Sequence, residues 1–181
     1  MHQSSCGKSS ICFCDCKLTD VKIIFLCYVH CLQYRWLNAL MDKFDGAKFT
    51  ILGFPCNQFG LQSPGNNEDY ETLDVLRCVR PGGGFLPKFP LFSRIEVNGQ
   101  NEDPLFTYLK ASLPSMNLVT GDIKTLFWSP IRVNDIRWNF EKFLITSDGA
   151  PYKRYCMCVN KLALFLKQAV RFSLPVSSFG T

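Results

Sequence analysis

The ten cysteines among 181 residues give this chain most of its chemical reach, since a thiolate can act as nucleophile, metal ligand or redox centre. Four of them, Cys6, Cys12, Cys14 and Cys16, crowd the first 16 residues. Their C-x-C-x-C spacing cannot complete a zinc tetrahedron without ligands from elsewhere, and it does not repeat as a disulfide framework would. The cluster reads as disordered or incidental, no metal site is expected, and the redox compartment stays open. Cys27 and Cys31 stand apart, where an apolar run gives way to a helical pattern. A second concentration of chemistry is ILGFPCNQFGLQSPG, residues 51–65. It is an apolar run that closes in a Pro-Cys-Asn-Gln corner, a Phe-Gly turn and then Gln62. Carboxamides donate N–H groups without carrying an acidic proton. Cys56, inside the corner, reads as a buried structural thiol.

The elements that must place these groups follow from periodicity. Residues 23–29, IIFLCYV, have the β-branched and aromatic content of a strand. Leu32, Trp36, Leu37, Leu40, Met41 and Phe44 then recur at three- and four-residue steps up to Gly46, which predicts a helix. Residues 49–54, FTILGF, are apolar on both faces, as a strand between helix layers would be, and Pro55 closes the ladder. Residues 66–79 predict a helix with acids in its first turn and Arg77 near its end, which complements the helix dipole. RPGGGFLPKFPLF is a loop, and residues 91–97 predict a strand running into the Asn98-Gly99 turn. Residues 104–112 predict a short helix with Pro near its first position. Residues 139–146 predict a strand, Ser147-Asp148-Gly149 a hairpin turn into PYKRY, and residues 161–170 a closing amphipathic helix. Helices alternating with strands and finished by a hairpin define a mixed α/β sheet.

Composition sets the outer limits. The length favours one domain with a single core, and 47% hydrophobic residues with 16 phenylalanines fit a globular protein. The net charge of +5 is modest and the lysines and arginines are scattered, so no nucleic-acid partner is expected. No stretch approaches the ~20 apolar residues of a membrane helix, and the early apolar run has no clear signal-peptide cleavage site. Residues 1–22 read as a poorly ordered first segment, 23–172 as the domain and 173–181 as a tail.

FPCNQFG, RPGGGF, KFPLF, VNG, NDIRWNFEKFL and the DG-P-KRY hairpin occur in an order and spacing that closely resemble the glutathione peroxidase family, in particular its tetrameric extracellular and epididymal members. The resemblance covers residues 33–155, with weaker similarity to 170. It implies a thioredoxin-like fold, a central mixed sheet flanked by helices, and reduction of hydrogen peroxide or organic hydroperoxides with glutathione in response to oxidative stress. Glutathione is then the reducing co-substrate, and no other cofactor is implied. Gln62, Trp138 and Asn139 match the carboxamides and indole that surround the family's reactive sulfur or selenium. The physical reason is plain: such N–H donors stabilise an anionic chalcogen without protonating it. By the same resemblance Arg132, Arg137 and Arg154 are candidate partners for glutathione carboxylates, the assembly is a homo-tetramer, and the location is extracellular, with the cytoplasm as the alternative.

The nucleophile is where this chain departs from the pattern. Alignment on Gln33-Tyr34 puts its position at Tyr28, or at Val29 with one gap, and neither side chain attacks peroxide oxygen as a chalcogenolate does. Little family sequence is legible before Gln33, so the N-terminal part of the sheet is expected to be incomplete, with an N-terminal hairpin and a central strand lost. Cys31, near the predicted helix start, is the candidate substitute nucleophile, because a helix N-terminus favours the thiolate; Cys27 is the weaker choice. Cys78 lies roughly where thioredoxin-dependent relatives carry a resolving cysteine, though its helix-face position favours a plain structural role. The alternative function is a catalytically silent isoform that keeps the scaffold and acts through subunit association.

Overall fold

The computed structural model describes residues 21–27, 31–46, 48–63, 69–115, 122, 124 and 126–156, with the backbone alone at 21–27, 31, 69 and 70. Strand β1 (Val21–Cys27), helix α1 (Cys31–Lys43) and strand β2 (Phe49–Pro55) follow one another, and β1 pairs parallel with β2 from Val21 opposite Phe49 to Cys27 opposite Pro55. Parallel neighbours need a crossover, and α1 supplies it. Helix α2 (Asp69–Asp74) runs on into a π-helical turn over Val75–Val79, where Arg80 N donates to Val75 O at 2.8 Å. Helix α3 (Pro104–Ser112) precedes the antiparallel hairpin of β3 (Lys142–Ile145) and β4 (Pro151–Tyr155). β1 also pairs antiparallel with β3, so the sheet order is β2-β1-β3-β4. A parallel β-α-β unit joined edge-on to an antiparallel hairpin is the thioredoxin-like arrangement.

Alternation along the strands divides the core into two layers. Phe49, Ile51 and Leu144 pack with Tyr34, Leu37, Leu40 and Phe44 of α1 on one face. Leu52, Phe54, Phe143 and Ile145 pack with Phe106 and Leu109 of α3 on the other. The sheet is thus flanked by helices, as the sequence predicts.

Two expectations are corrected. The central strand is not lost: β1 lies between β2 and β3. An apolar run such as VKIIFLC carries strand character but no side chain specific to a family, so a motif comparison misses it. Residues 91–97 do not form a ladder strand. They follow the outer edge of β2 through one parallel bridge, Gly53 with Leu91, and through bonds from Gly53 N to Pro90 O (3.0 Å), Phe92 N to Gly53 O (2.8 Å) and Ile95 N to Pro55 O (3.0 Å). Pro55 and Pro90 have no N–H to return, so the pairing stays partial, yet it still covers the edge. The cysteine cluster, the first turn of the predicted 66–79 helix, the closing helix at 161–170 and the tail at 173–181 lie outside the described residues. No described helix is long and apolar enough to cross a membrane.

Candidate functional site

β2 ends at Pro55, and the chain turns back on itself through residues 56–63. Gly60 (φ +67°) and Leu61 (φ +50°) are both left-handed, and the Gln62 side chain folds over Gly60, its Cγ 3.4 Å from where a Cβ would sit. A side chain at residue 60 would be strained by its backbone and tight against that amide. The turn is held from within, because Ser63 N donates to Asn57 Oδ1 at 2.8 Å and Arg94 Nη1 donates to Ser63 O at 2.9 Å.

On the facing loop Phe140 is left-handed (φ +62°), an uncommon state for an aromatic residue. Its ring is held edge-on against Tyr34 of α1, with centroids 6.0 Å apart. That turn directs Asn139 inward, and Asn139 Nδ2 donates to Gln62 Oε1 at 3.2 Å. Residues 77 positions apart thereby meet. Asn139 is buried, and its Oδ1 has no donor among the described residues. Trp138 is half-buried and packs its ring 6.0 Å from that of Phe59. The contact orients Gln62 through its oxygen, which leaves the Gln62 Nε2 group and the Trp138 indole N–H as donors with no protein acceptor among the described residues.

A second set of carboxamides, which sequence reasoning missed, joins the two loops. Gln58 Oε1 accepts from Val97 N (3.0 Å) and Asn98 N (3.1 Å), and its Nε2 donates to Asn98 O (2.8 Å). The Asn98 side chain repeats the pattern one step on: Nδ2 donates to Ile136 O (2.8 Å) and Oδ1 accepts from Ile136 N (2.9 Å). Lys110 Nζ reaches Asn98 Oδ1 and Asp135 Oδ1, both at 3.2 Å, and forms a further ion pair with Glu102. Asp135 Oδ2 accepts from Trp128 Nε1 (2.8 Å) and Arg132 N (2.7 Å). Gln58 and Asn98 stand inside the motifs FPCNQFG and VNG, so the signal was present in the spelling. Their pairing across 40 positions was not.

The cysteines differ sharply in environment. Cys56 is buried, its thiol donates to Gln58 Oε1 at 3.6 Å, and burial pushes its pKa from 9.0 up to about 12. That is the behaviour of a structural thiol. Cys78 and Cys156 are exposed. Cys31 is the first residue of α1; Tyr28 and Val29 lie outside the described residues.

Two of the three arginines converge, because Arg137 Nε and Arg154 Nη2 both donate to the Asp135 carbonyl oxygen, at 3.3 and 3.1 Å. Arg132 is exposed, and its side chain lies 3.5 Å from Glu102. Arg137 turns two of its N–H groups to the carbonyls of Asp135 and Val133. The Arg154 side chain, 6% exposed, pairs with Glu141 at 2.6 Å and donates to the carbonyls of Asn134 (3.0 Å) and Asp135 (3.1 Å). It ties the hairpin to the 134–141 loop, a position enclosed by protein and not that of an exposed anion contact. Arg94, not singled out from the sequence, lines a cavity of about 280 Å³ with Asn57, Gln58, Leu61, Ile95, Glu96 and Phe127 on the other side of the turn.

A thioredoxin-like α/β protein whose two loops present carboxamide and indole donors at one end of the sheet is the class defined so far. A family model described as glutathione peroxidase matches residues 16–110, and the chain belongs to that family. The match begins before β1, so family character extends upstream of Gln33. Epididymal secretory glutathione peroxidase of Macaca fascicularis is 50% identical over 123 residues, which is 68% of this chain and 55% of that protein. Glutathione peroxidase 3 of Bos taurus is 51% identical over 123 residues, 68% of this chain and 54% of the relative. The chain therefore spans about half the length of the curated relatives it matches. Among solved structures, the crystal structure of T. cruzi GPX1 superposes with a TM-score of 0.59 at 25% identity, covering 85% of this chain and 82% of the other.

Proposed function

We propose that the chain is a glutathione peroxidase-type oxidoreductase that reduces hydrogen peroxide or organic hydroperoxides with glutathione under oxidative stress. The observation that carries the reading is the Asn139–Gln62 contact at 3.2 Å beside Trp138, in a chain of this family. Cys31 is proposed as nucleophile because it opens the 13-residue helix α1, whose N-terminal dipole favours a thiolate. The thiolate attacks one peroxide oxygen, the O–O bond breaks, and the other oxygen leaves as an alcohol or water after taking up a proton. The sulfur is thereby oxidised to a sulfenic acid. One glutathione thiol condenses with it and releases water, and a second displaces the mixed disulfide as oxidised glutathione and restores the thiolate. Gln62 Nε2 and Trp138 Nε1 are the groups offered to the sulfur anion and to the departing oxygen.

The test is glutathione-dependent peroxide turnover by stopped flow. Gln62→Ala is expected to lower it about 10²-fold, the scale of one lost anion donor, and Cys31→Ser to abolish it; unchanged turnover in Cys31→Ser removes that residue from the mechanism. The residue types at the nucleophile position, Tyr28 or Val29, favour a second reading, a catalytically silent subunit. Wild-type protein without turnover would establish it. The names of the relatives, epididymal secretory among them, support an extracellular location. Val79 and Leu86, exposed on either side of the RPGGGF loop, support a homo-tetramer, which light scattering would measure.

A further inference from the structure

Four carboxamides on three segments, the 56–63 turn, the Asn98-Gly99 turn and the 134–141 loop, form a closed circuit. Gln58 pairs both backbone groups of Asn98, the Asn98 side chain pairs both backbone groups of Ile136, and Asn139, three residues on, returns to Gln62 on the turn where the circuit began. Each of the first two links uses a side-chain amide as a peptide unit would be used in a ladder, with donor and acceptor in one plane. Asn98 is fully buried, so neither bond to Ile136 has water to replace it, and an unpaired partner there is costly. Close backbone contact reinforces the position. Gly99 (φ +88°) leaves so little room that a Cβ would lie 3.0 Å from Ser129 O. Gln100 N donates to that same oxygen at 3.0 Å. Arg154 of β4 holds the start of the 134–141 loop at the Asn134 and Asp135 carbonyls, and Asn98 is the side chain that pairs both backbone groups of Ile136, two residues before Trp138.

We propose that Asn98 is a positioning residue for the site: its carboxamide, in series with that of Gln58, sets the height of the Trp138–Asn139 segment at which Asn139 meets Gln62. The geometric statement stands on the circuit alone, and only its catalytic consequence rests on the peroxidase reading.

The experiment follows the side-chain amide signals of Gln62 and Asn139 by NMR in the full chain. In Asn98→Ala both signals are expected to shift, and the Asn139 amide protons to exchange with solvent at least about tenfold faster as the local opening becomes easier. Phe44→Ala, a core truncation on α1 in the other layer, against Phe49, is the control. It lowers Tm by removing packing and is expected to leave both amide signals in place. Wild-type shifts and exchange in Asn98→Ala, or equal disturbance in Phe44→Ala, would overturn the proposal. Asn98→Asp supplies a second variant of the same volume. It keeps an acceptor for Ile136 N and Lys110 but loses the donor to Ile136 O, and the same amide shifts are expected. Should neither variant fold, native-state exchange of the wild type decides: the Gln58, Asn98 and Asn139 side-chain amides must open together across a denaturant series, and separate openings refute the circuit. If the wild type turns over peroxide, Asn98→Ala is expected to lower kcat/KM for peroxide roughly tenfold, a misplacement effect, with KM for glutathione unchanged. Absence of turnover in the wild type would count against the peroxidase reading alone, because the amide signals do not depend on it.

Discussion

At the scale of single residues, burial separates one thiol from another. Cys78 and Cys156 are exposed, whereas Cys56 is enclosed beside the Gln58 carboxamide and burial raises its pKa to about 12. It therefore stays protonated at neutral pH and inert to electrophiles. Iodoacetamide applied to the native protein at about pH 8, near the ordinary thiol pKa, is expected to modify exposed Cys78 and Cys156 well before Cys56, as peptide mass spectrometry would read. The sign of the stability effect follows. An unfolded Cys56 thiol ionises near 9.0 and the folded one near 12, so its contribution is complete below 9.0 and is lost as pH rises toward 12. Cys56→Ser, which does not ionise there, is expected to flatten that alkaline decline in urea midpoints. Among the carboxamides the same logic separates Gln62, partly exposed and with a donor group that meets no acceptor among the described residues, from Gln58, buried with every polar atom paired.

At the scale of elements, helix α3 shows how local signals and tertiary demands agree. Asp103 accepts from Leu105 N at 2.9 Å and Pro104 occupies the first turn, so an orphan N–H is satisfied and the missing one costs nothing. Asp103→Ala is expected to destabilise the protein by about 1 kcal/mol, a Tm loss of about 2–4 °C by calorimetry. The element limits read from periodicity agree with the structure there and at α1, where apolar spacing is regular. They fail at residues 91–97, whose β-like composition is answered by an edge with two prolines, and they cannot foresee the π-helical turn at Val75–Val79. That turn depends on where the following loop must go: Gly82 N and Gly84 N return to Leu76 O and Arg77 O, each at 3.0 Å.

At the scale of the molecule, charge is buried where helix α3 meets the 134–141 loop. Lys110, Glu102 and Asp135 lie there with side chains 6%, 10% and 1% exposed. Removing one member of such a cluster strands the others without solvent. Lys110→Met is expected to destabilise folding by about 3–5 kcal/mol in urea titrations, whereas the exposed Lys88–Asp42 pair contributes within the ~0–1 kcal/mol of a surface ion pair. This junction also carries Asn98 and the Trp128 indole, so the charged cluster and the carboxamide circuit share one support beneath the proposed site.

From the sequence alone came the alternating strands and helices, the hairpin and the proline that opens α3, because spacing of apolar residues and turn chemistry act over a few residues. The family and the identity of Gln62, Trp138 and Asn139 came from motif spelling, which preserves residue type and order. Tertiary structure alone decided that β1 occupies the middle of the sheet, that Arg154 faces a carboxylate inside the protein, and that Gln58 and Asn98 link the loops. These depend on partners 13 to 77 positions away, and a buried amide is satisfied by whatever the fold brings beside it, which no local pattern encodes.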